Sequence, residues 1–267
     1  MKKRAFALAA HPDDIEFVMA GTLILLAQAG YEVHYMNVGN GSCGTASLPK
    51  DEIIEIRRTE AQQAAASVGA IYHESLTDDF TIFYEPRLLA RLSSVMRKVA
   101  PEILLLQSPQ DYMEDHQNTV RLAVTAAFTR GMRNFSTDPQ HAPVDHPVAI
   151  YHAQPHGNRD TLGNFIRPHF CVDIGSVIEQ KTHMLSCHMS QKSWLDQSQG
   201  MDAYLHTMQG LGKEVAGFAS GLTYAEGWRK RLHLGYANAD FSPLERSLAP
   251  YLVDLPTQST SSNAYTS

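Results

Sequence analysis

Residues 4–16 read RAFALAAHPDDIE, and the rest of the chain is organised around this stretch. The apolar run over residues 5–10 has the length of a buried strand, and it ends abruptly at His11 and Pro12. Because Pro12 has no backbone N–H and a fixed φ, it ends the ladder of a sheet and restricts the following turn. An apolar segment typical of a helix follows over residues 17–29. The pattern predicts a strand that leads directly into a polar turn.

The turn after this strand presents one imidazole and two carboxylates, from His11, Asp13 and Asp14. In an open α/β sheet, ligands bind beyond the carboxyl ends of the strands. A histidine with one ligating carboxylate suits a divalent metal, and the second carboxylate is then free to act as a base on a water molecule. The alternative is a polar turn whose aspartates cap the next helix, since Asp is favoured at helix N-caps. Residues 11–14 alone leave both interpretations open.

Composition and charge limit the class of protein. The chain has 267 residues and a formal net charge of −6, and its basic residues form no long run, so no nucleic-acid partner is expected. Three scattered cysteines predict neither a disulfide framework nor a CxxC metal site. The apolar runs are too short for a membrane span and no signal-peptide pattern is present, so we expect a cytoplasmic protein. We interpret residues 1–255 as one domain and residues 256–267 as a disordered tail.

Strand and helix patterns alternate beyond the first turn. The patterns predict strands over residues 31–38, 70–76, 102–107, 148–153 and 170–174. They predict helices over residues 51–69, 86–100, 120–130 and 176–190, and a mostly helical segment over residues 213–235. This alternation indicates an α/β fold with a Rossmann-like, mostly parallel sheet flanked by helices.

A long Gly- and Ser-rich loop, residues 39–49, follows the second predicted strand at the edge that carries the HPDD turn. Long loops at such edges are often functional, but loops are also the most mobile part of a surface. The sequence leaves open whether this loop covers the site as a lid or is a flexible surface loop.

A second polar cluster follows the fourth predicted strand, within SPQDYMEDHQNT at residues 108–119. Because parallel strands present their carboxyl ends on one side, we expect His116 to lie close to His11 and Asp14. Two histidines and a carboxylate leave a coordination position open for water, as in catalytic zinc sites. Non-haem iron(II) uses the same ligand types, so the sequence predicts Zn²⁺ and leaves Fe²⁺ or another divalent metal open.

Four segments of the chain resemble the PIG-L or LmbE-like deacetylases: AHPDDIEFVMAGTL, RRTEAQQAAASVGA, the DH of MEDHQNT, and HMSQ at the end of a predicted helix. The resemblance covers most of residues 4–192 in the same order. It implies the PIG-L/LmbE-like deacetylase fold and a zinc hydrolase that removes acetyl groups from N-acetylglucosamine-type sugars and their conjugates.

The resemblance also implies roles for individual residues. His11, Asp14 and His116 would bind zinc, and Asp13 would be the general base. At the mouth of the site, we expect substrate contacts from Arg57, Asp78 and Tyr112, although surface ion pairs are an equal alternative for the two charged residues.

The chain departs from the family motif at one position. The usual HPDH is Met113-Glu114-Asp115-His116 here, so a methionine replaces the first histidine. In the family that histidine is thought to polarise the carbonyl or to protonate the leaving amine, and a thioether does neither. Three consequences are open: Tyr112 or His188 has taken over the role of that histidine, the reaction is a different one, or the protein binds its ligand without turnover. We predict His188 as the catalytic replacement; the alternative is that it caps its helix or packs in the pocket wall.

The sequence is therefore compatible with three functions. The first is zinc-dependent deacetylation at the linear amide C–N bond of a small N-acetylated sugar or conjugate. The second is a metal-dependent hydratase or another hydrolase of a small molecule on the same fold. The third is a non-catalytic metal- or sugar-binding protein. The sequence leaves homo-oligomerisation open.

Overall fold

The computed structural model describes residues 2–193 and 203–255, and an eight-stranded sheet forms the centre of this part of the chain. The strands are β1 (Arg4–Ala9), β2 (Glu32–Asn37), β3 (Ile71–His73), β4 (Ile103–Leu106), β5 (Ala149–Ala153), β6 (Phe170–Asp173), β7 (Ala225–Lys230) and β8 (Leu252–Asp254). Their order is β3-β2-β1-β4-β5-β7-β6-β8. The pairs from β3 to β5 are parallel and the remaining three are antiparallel. The predicted α/β fold with a mostly parallel sheet is confirmed.

Helices flank both faces of the sheet. They are α1 (Asp14–Val18), α2 (Ala20–Gln28), α3 (Lys50–Ser67), α4 (Pro86–Val99), α5 (Glu114–Thr129), α6 (Ile178–Ser186), α7 (Ala203–Ala216) and α8 (Pro243–Ser247). None of the helices in the described ranges is long and apolar enough to cross a membrane.

Strand β1 lies at the centre of the parallel part and is buried on both faces. Ala5, Ala7 and Ala9 belong to the core on one face, whereas Phe6 and Leu8 belong to the core on the other face. The alternation is the two-residue period of a strand, and burial on both faces explains the continuous apolar run. Because β1 pairs with β2 on one side and with β4 on the other, the order in which successive parallel strands are added to the sheet reverses here. This switch point opens a crevice beyond the end of β1.

The prediction of a single helix over residues 17–29 is wrong, because the helix is interrupted at Met19. The side chain of Glu226, on β7, reaches the start of α2. One of its oxygens accepts the N–H of Gly21 at 2.8 Å, and the other accepts the N–H of Thr22 at 2.7 Å. A carboxylate at this position satisfies unpaired donors of the first helical turn and opposes the helix dipole. A distant strand therefore determines where α2 begins.

Two further predictions of helices need correction. Residues 213–235 are not mostly helical, because α7 ends at Ala216 and β7 occupies Ala225–Lys230 between β5 and β6. Pairing on both sides and complete burial of Trp228 override the local pattern of this segment. Helix α6 ends at Ser186, so His188 lies beyond it and not at its last turn. The predicted tail, residues 256–267, lies outside the described residues.

Candidate metal centre and cavity

The structure brings together His11, Asp14 and His116 at the carboxyl edge of the sheet. His11 follows β1, Asp14 is the first residue of α1, and His116 lies in the first turn of α5. The predicted helix over residues 120–130 begins at Glu114 instead, so only the part of the second cluster from Glu114 onward is helical. One ligand atom from each of the three buried side chains lies within 4.8 Å of the others. Two imidazoles and one carboxylate at this spacing are a suitable donor set for a divalent transition metal.

Each of the two imidazoles is held from behind by a second carboxylate. Nε2 of His11 lies 3.0 Å from an Asp115 oxygen, and Nδ1 of His116 lies 2.9 Å from an Asp111 oxygen. The other nitrogens face Asp14: His11 Nδ1 at 3.5 Å and His116 Nε2 at 3.3 Å. Such carboxylate–histidine pairs fix the ring tautomer and leave the inward nitrogen free to ligate a metal. The pairing therefore leaves Nδ1 of His11 and Nε2 of His116 as the candidate ligand atoms.

The electrostatics of the cluster favour positive charge at its centre. Burial lowers the pKa of His11, but hydrogen bonds with Asp115 and Asp14 outweigh it and raise the pKa to about 10. Burial alone would raise the pKa of Asp14, yet the neighbouring His116 and His11 hold this pKa well below its usual range. Asp14 is therefore ionised, and a cation that binds here competes with imidazole protons.

Side chains from both neighbouring strands hold the turn after β1. Gln107, just after β4, accepts the N–H of Ala10 through Oε1 at 2.8 Å. Asn37, the last residue of β2, donates from Nδ2 to the carbonyl of His11 at 2.6 Å. Because both side chains are buried, these bonds are shielded from water and fix the turn. The position of His11 is thus set by the sheet itself.

Asp13 lies beside the cluster with its backbone in the left-handed region, at φ 101°. Its Oδ2 accepts hydrogen bonds from the Tyr204 hydroxyl at 2.8 Å and from the Arg57 guanidinium at 3.2 Å. Burial raises the pKa of Asp13, and the charge of Arg57 opposes that shift. The first turn of α1 has no side-chain cap. Asp13 therefore does not form the side-chain hydrogen bond that the alternative, a helix-capping role, requires.

A cavity of about 310 Å³ opens next to Asp13 and Asp14. This volume is within the range of small-molecule sites. The cavity is also lined by Phe17, Tyr112, His156, Tyr204 and Thr207. The backbone N–H of His156 donates to Asp111 at 3.1 Å, and its ring packs against Phe17 with ring centroids 5.1 Å apart. No hydrogen bond from a described residue engages the imidazole nitrogens of His156.

The predicted substrate contacts have different positions. Tyr112 lines the cavity, in keeping with the prediction. Arg57 is only 4% exposed and binds Asp13 and the Pro12 carbonyl, so its guanidinium is engaged within the protein. Asp78 binds Lys50 and Asn40 at the surface and does not belong to the cavity lining.

His188, the predicted replacement for the family histidine, is completely buried. Its Nε2 lies 3.4 Å from Oε1 of Glu16, a second completely buried residue, and it is not part of the cavity lining. Burial lowers the pKa of His188, but the neighbouring carboxylate of Glu16 outweighs it and raises the pKa. His188 does not line the cavity. Direct proton transfer from its imidazole therefore stays a prediction. Its charge acts on Asp13 from inside the protein.

The loop over residues 39–49 is anchored to the body of the protein. Asp79 accepts the N–H groups of Gly41 and Cys43 at 2.8 and 2.9 Å. Gln191 donates to the Gly44 carbonyl at 2.7 Å. These contacts hold residues 41–44 of the loop against the body of the protein, beside Arg57.

The sequence does not show which contacts several residues of the site make. Asp111 and Asp115 were visible as carboxylates close to His116, but nothing in their spacing assigned them to particular imidazoles. His156 belongs to none of the sequence motifs named above. Tyr204 lies 191 residues beyond Asp13, and no local pattern connects the two.

Fold and site together define a class: a Rossmann-like α/β protein with a buried His–Asp–His cluster, suitable for a metal ion, at the switch point of its sheet. Residues 6–127 match the family described as "PIG-L: GlcNAc-PI de-N-acetylase", which confirms the resemblance over this segment. The matched segment contains the three clustered residues and Asp13.

Similar proteins include two different kinds of enzyme. The chain is 27% identical over 237 residues to diacetylchitobiose deacetylase of Thermococcus kodakarensis, covering 85% of this chain and 82% of the relative. It is also 27% identical over 199 residues to 4-oxalmesaconate hydratase of Pseudomonas putida, covering 72% and 75%. The solved N,N'-diacetylchitobiose deacetylase of Pyrococcus horikoshii, complexed with its inhibitor, is similar with a TM-score of 0.73 at 25% identity, covering 91% and 88%.

Replacing Asp111 by Asn tests the role of the carboxylate behind His116. The substitution keeps the size of the side chain but weakens the hydrogen bond that orients the imidazole. We expect the affinity for Zn²⁺, measured by competition with a chelator, to fall about 10- to 100-fold. Asp78→Asn, at a surface carboxylate outside the cluster, should leave the affinity unchanged, and His116→Ala should abolish binding. Wild-type affinity in Asp111→Asn would contradict the assignment of ligand atoms.

Proposed function

We propose that the protein is a zinc-dependent N-deacetylase that acts on the linear amide bond of an N-acetylglucosamine-type sugar or sugar conjugate. The observation that carries this proposal is the buried cluster of His11, Asp14 and His116, whose Asp14 lines a cavity together with the neighbouring carboxylate of Asp13. The similarity to diacetylchitobiose deacetylase supports the same reaction.

The donor set fits Zn²⁺. Two neutral imidazole nitrogens and one carboxylate oxygen match the three-ligand sets of catalytic zinc, and the carboxylates behind the imidazoles complete the arrangement. When bound, the cation supplies Lewis-acid chemistry, because it acidifies water and polarises an amide carbonyl. The ligand types also suit other divalent transition metals, and Zn²⁺ is the one we propose.

Asp13 is proposed as the general base. Its Oδ2 is occupied by Tyr204 and Arg57, whereas Oδ1 accepts no hydrogen bond from a described residue. As an attacking water forms a bond to the acetamide carbon, Oδ1 would accept the proton of that water. Breaking the C–N bond then requires a proton for the departing amine, and the products are acetate and the free amino sugar.

His156 is proposed as the group that stands in for the missing family histidine. It lines the cavity, and its imidazole has no hydrogen-bond partner among the described residues. Its backbone is tied to Asp111, the same carboxylate that orients His116. An imidazole with this freedom can donate a proton to the amine or a hydrogen bond to the developing oxyanion. His188, the candidate from the sequence, would act only through the buried charge next to Asp13.

The walls of the cavity suit a small sugar. The lining combines the polar side chains of Asp13, Asp14 and Thr207 with the rings of Phe17 and Tyr112. Few polar groups on an apolar wall are typical of small-molecule sites, and the half-exposed Tyr112 is proposed to contact the sugar. The similarity to a deacetylase of diacetylchitobiose favours N-acetylglucosamine-type groups.

A second candidate is hydration of a small molecule on the same fold. The observation in its favour is Met113, which removes the usual proton donor of the deacetylases, together with the similarity to 4-oxalmesaconate hydratase. Addition of water to a double bond releases no amine: the hydroxyl adds to one carbon, and the base can return the proton it took from water to the other carbon. Hydration therefore does not require the donor that protonates a departing amine.

Acetate release from N,N'-diacetylchitobiose and N-acetylglucosamine by the zinc-loaded protein is the direct test. Asp13→Asn should lower the turnover about 100-fold or more, because a base is lost, while the bound zinc stays stoichiometric. Asp254→Asn, an exposed carboxylate on β8, is the matched control and should keep full turnover. Acetate release that survives in Asp13→Asn would refute the base. No acetate release by the wild type would refute deacetylation of these sugars and favour the hydratase.

Three variants identify the proton donor. We expect His156→Ala to lower kcat about 100-fold with zinc retained, since one proton-transfer contact is lost. Met113→His in that background should recover part of the lost rate by restoring the usual imidazole. His188→Ala tests the prediction from the sequence in the same assay. If His188→Ala loses turnover while His156→Ala is normal, the donor is His188 and our assignment is wrong.

A further inference from the structure

We propose that Tyr204 is a positioning residue for Asp13: together with Arg57 it fixes Oδ2, so that Oδ1 alone faces the cavity. This inference rests on the proposed function, because it gives the base a single working oxygen. The Tyr204 hydroxyl donates to Oδ2 at 2.8 Å and the Arg57 guanidinium donates to the same atom at 3.2 Å. No described residue donates to Oδ1.

The backbone around Asp13 is held as firmly as its side chain. A φ of 101° is rare for a residue with a Cβ, and such conformations persist only where the surroundings enforce them. The Arg57 guanidinium also donates to the carbonyl of Pro12, the preceding residue. Arg57 therefore binds both a backbone carbonyl of the turn and the side chain of Asp13.

The glycines of the loop over residues 39–49 leave room for this arginine. A Cβ at Gly41 would lie 2.5 Å from Cδ of Arg57, and a Cβ at Gly44 would lie 2.3 Å from its Nη1. Gly41 also has a φ of 79°, which other residues rarely adopt. The loop that the sequence left open as a lid thus has a defined task in this arrangement, because it encloses Arg57 against Asp13.

Tyr204 provides the second contact from a different part of the chain. It lies on α7, beyond the segment that matches the PIG-L family, and its side chain is buried. Its ring packs edge-on against Phe17, with centroids 5.1 Å apart, and this contact aims the hydroxyl at Asp13. The C-terminal part of the chain therefore supplies a residue to the site formed by that segment.

A carboxylate with one oxygen held has a restricted orientation. Free rotation about the side-chain bonds would place Oδ1 correctly only part of the time, and displacement of a reacting group by about 1 Å costs on the order of 100-fold in rate. Holding Oδ2 with two donors avoids this loss without contact between Tyr204 and the reacting atoms. The expected effect is on kcat, because the substrate does not bind Tyr204 through this hydrogen bond.

The test uses Tyr204→Phe in the full-length, zinc-loaded protein with acetate release from N,N'-diacetylchitobiose. We expect kcat to fall about 10- to 100-fold, with KM and zinc content unchanged. In the Asp13→Asn background the same substitution should cause no further loss, because the oxygen it positions no longer acts as a base. Tyr151→Phe is the matched control: Tyr151 is another buried tyrosine that donates to a carboxylate, that of Glu245, outside the cavity. It should leave kcat unchanged.

The outcomes separate this inference from the proposed function. If Asp13→Asn abolishes turnover but Tyr204→Phe keeps the wild-type kcat, the positioning role is refuted and the function stands. An equal loss of rate from Tyr204→Phe with and without Asp13 also refutes it, since the effect is then independent of the base. Crystal structures of wild type and Tyr204→Phe decide even without acetate release: the Asp13 carboxylate should rotate, and an unchanged carboxylate would overturn the proposal.

Discussion

The site depends on the fixed orientation of two buried imidazoles. Each ring has one nitrogen bound to a carboxylate and the other nitrogen directed at Asp14. Asp115 holds His11, and Asp111 holds His116. Rotation of either imidazole would break a buried hydrogen bond to a carboxylate, which costs more than the loss of an exposed hydrogen bond. The orientation of the donors is therefore present before any cation binds.

The same two carboxylates extend this order to the surroundings. Asp115 also accepts the N–H of Phe80 at 2.6 Å, and Phe80 has a positive φ of 59°. Asp111 also accepts the N–H of His156, whose ring lines the cavity. Each carboxylate thus connects a metal-ligand candidate to a neighbouring backbone segment, and the segment bound to Asp111 lines the cavity. A change at Asp111 is therefore expected to affect both the cluster and the shape of the cavity.

The sequence predicted those parts of the site that depend on short segments and on sheet topology. The apolar run that ends at Pro12 indicated β1, and the rule that parallel strands end at one edge brought His116 to His11. Contacts between distant elements were not predictable in this way. Glu226 interrupts the helix after Asp14, and Tyr204 reaches Asp13 from α7, because both depend on how the C-terminal strands and helices pack on the first half. The segment over β7 was misread for the same reason, since its pairing partners lie far away in the chain.

The most direct test of this account is the position of the metal in a crystal of the zinc-loaded protein, located by anomalous diffraction at the zinc edge. We expect one anomalous peak, at about 2.0–2.2 Å from three atoms: Nδ1 of His11, a carboxylate oxygen of Asp14 and Nε2 of His116. Asp115 and Asp111 should remain bound to the outer nitrogens of the two rings. A peak bound to Nε2 of His11, or one away from these three side chains, would contradict it.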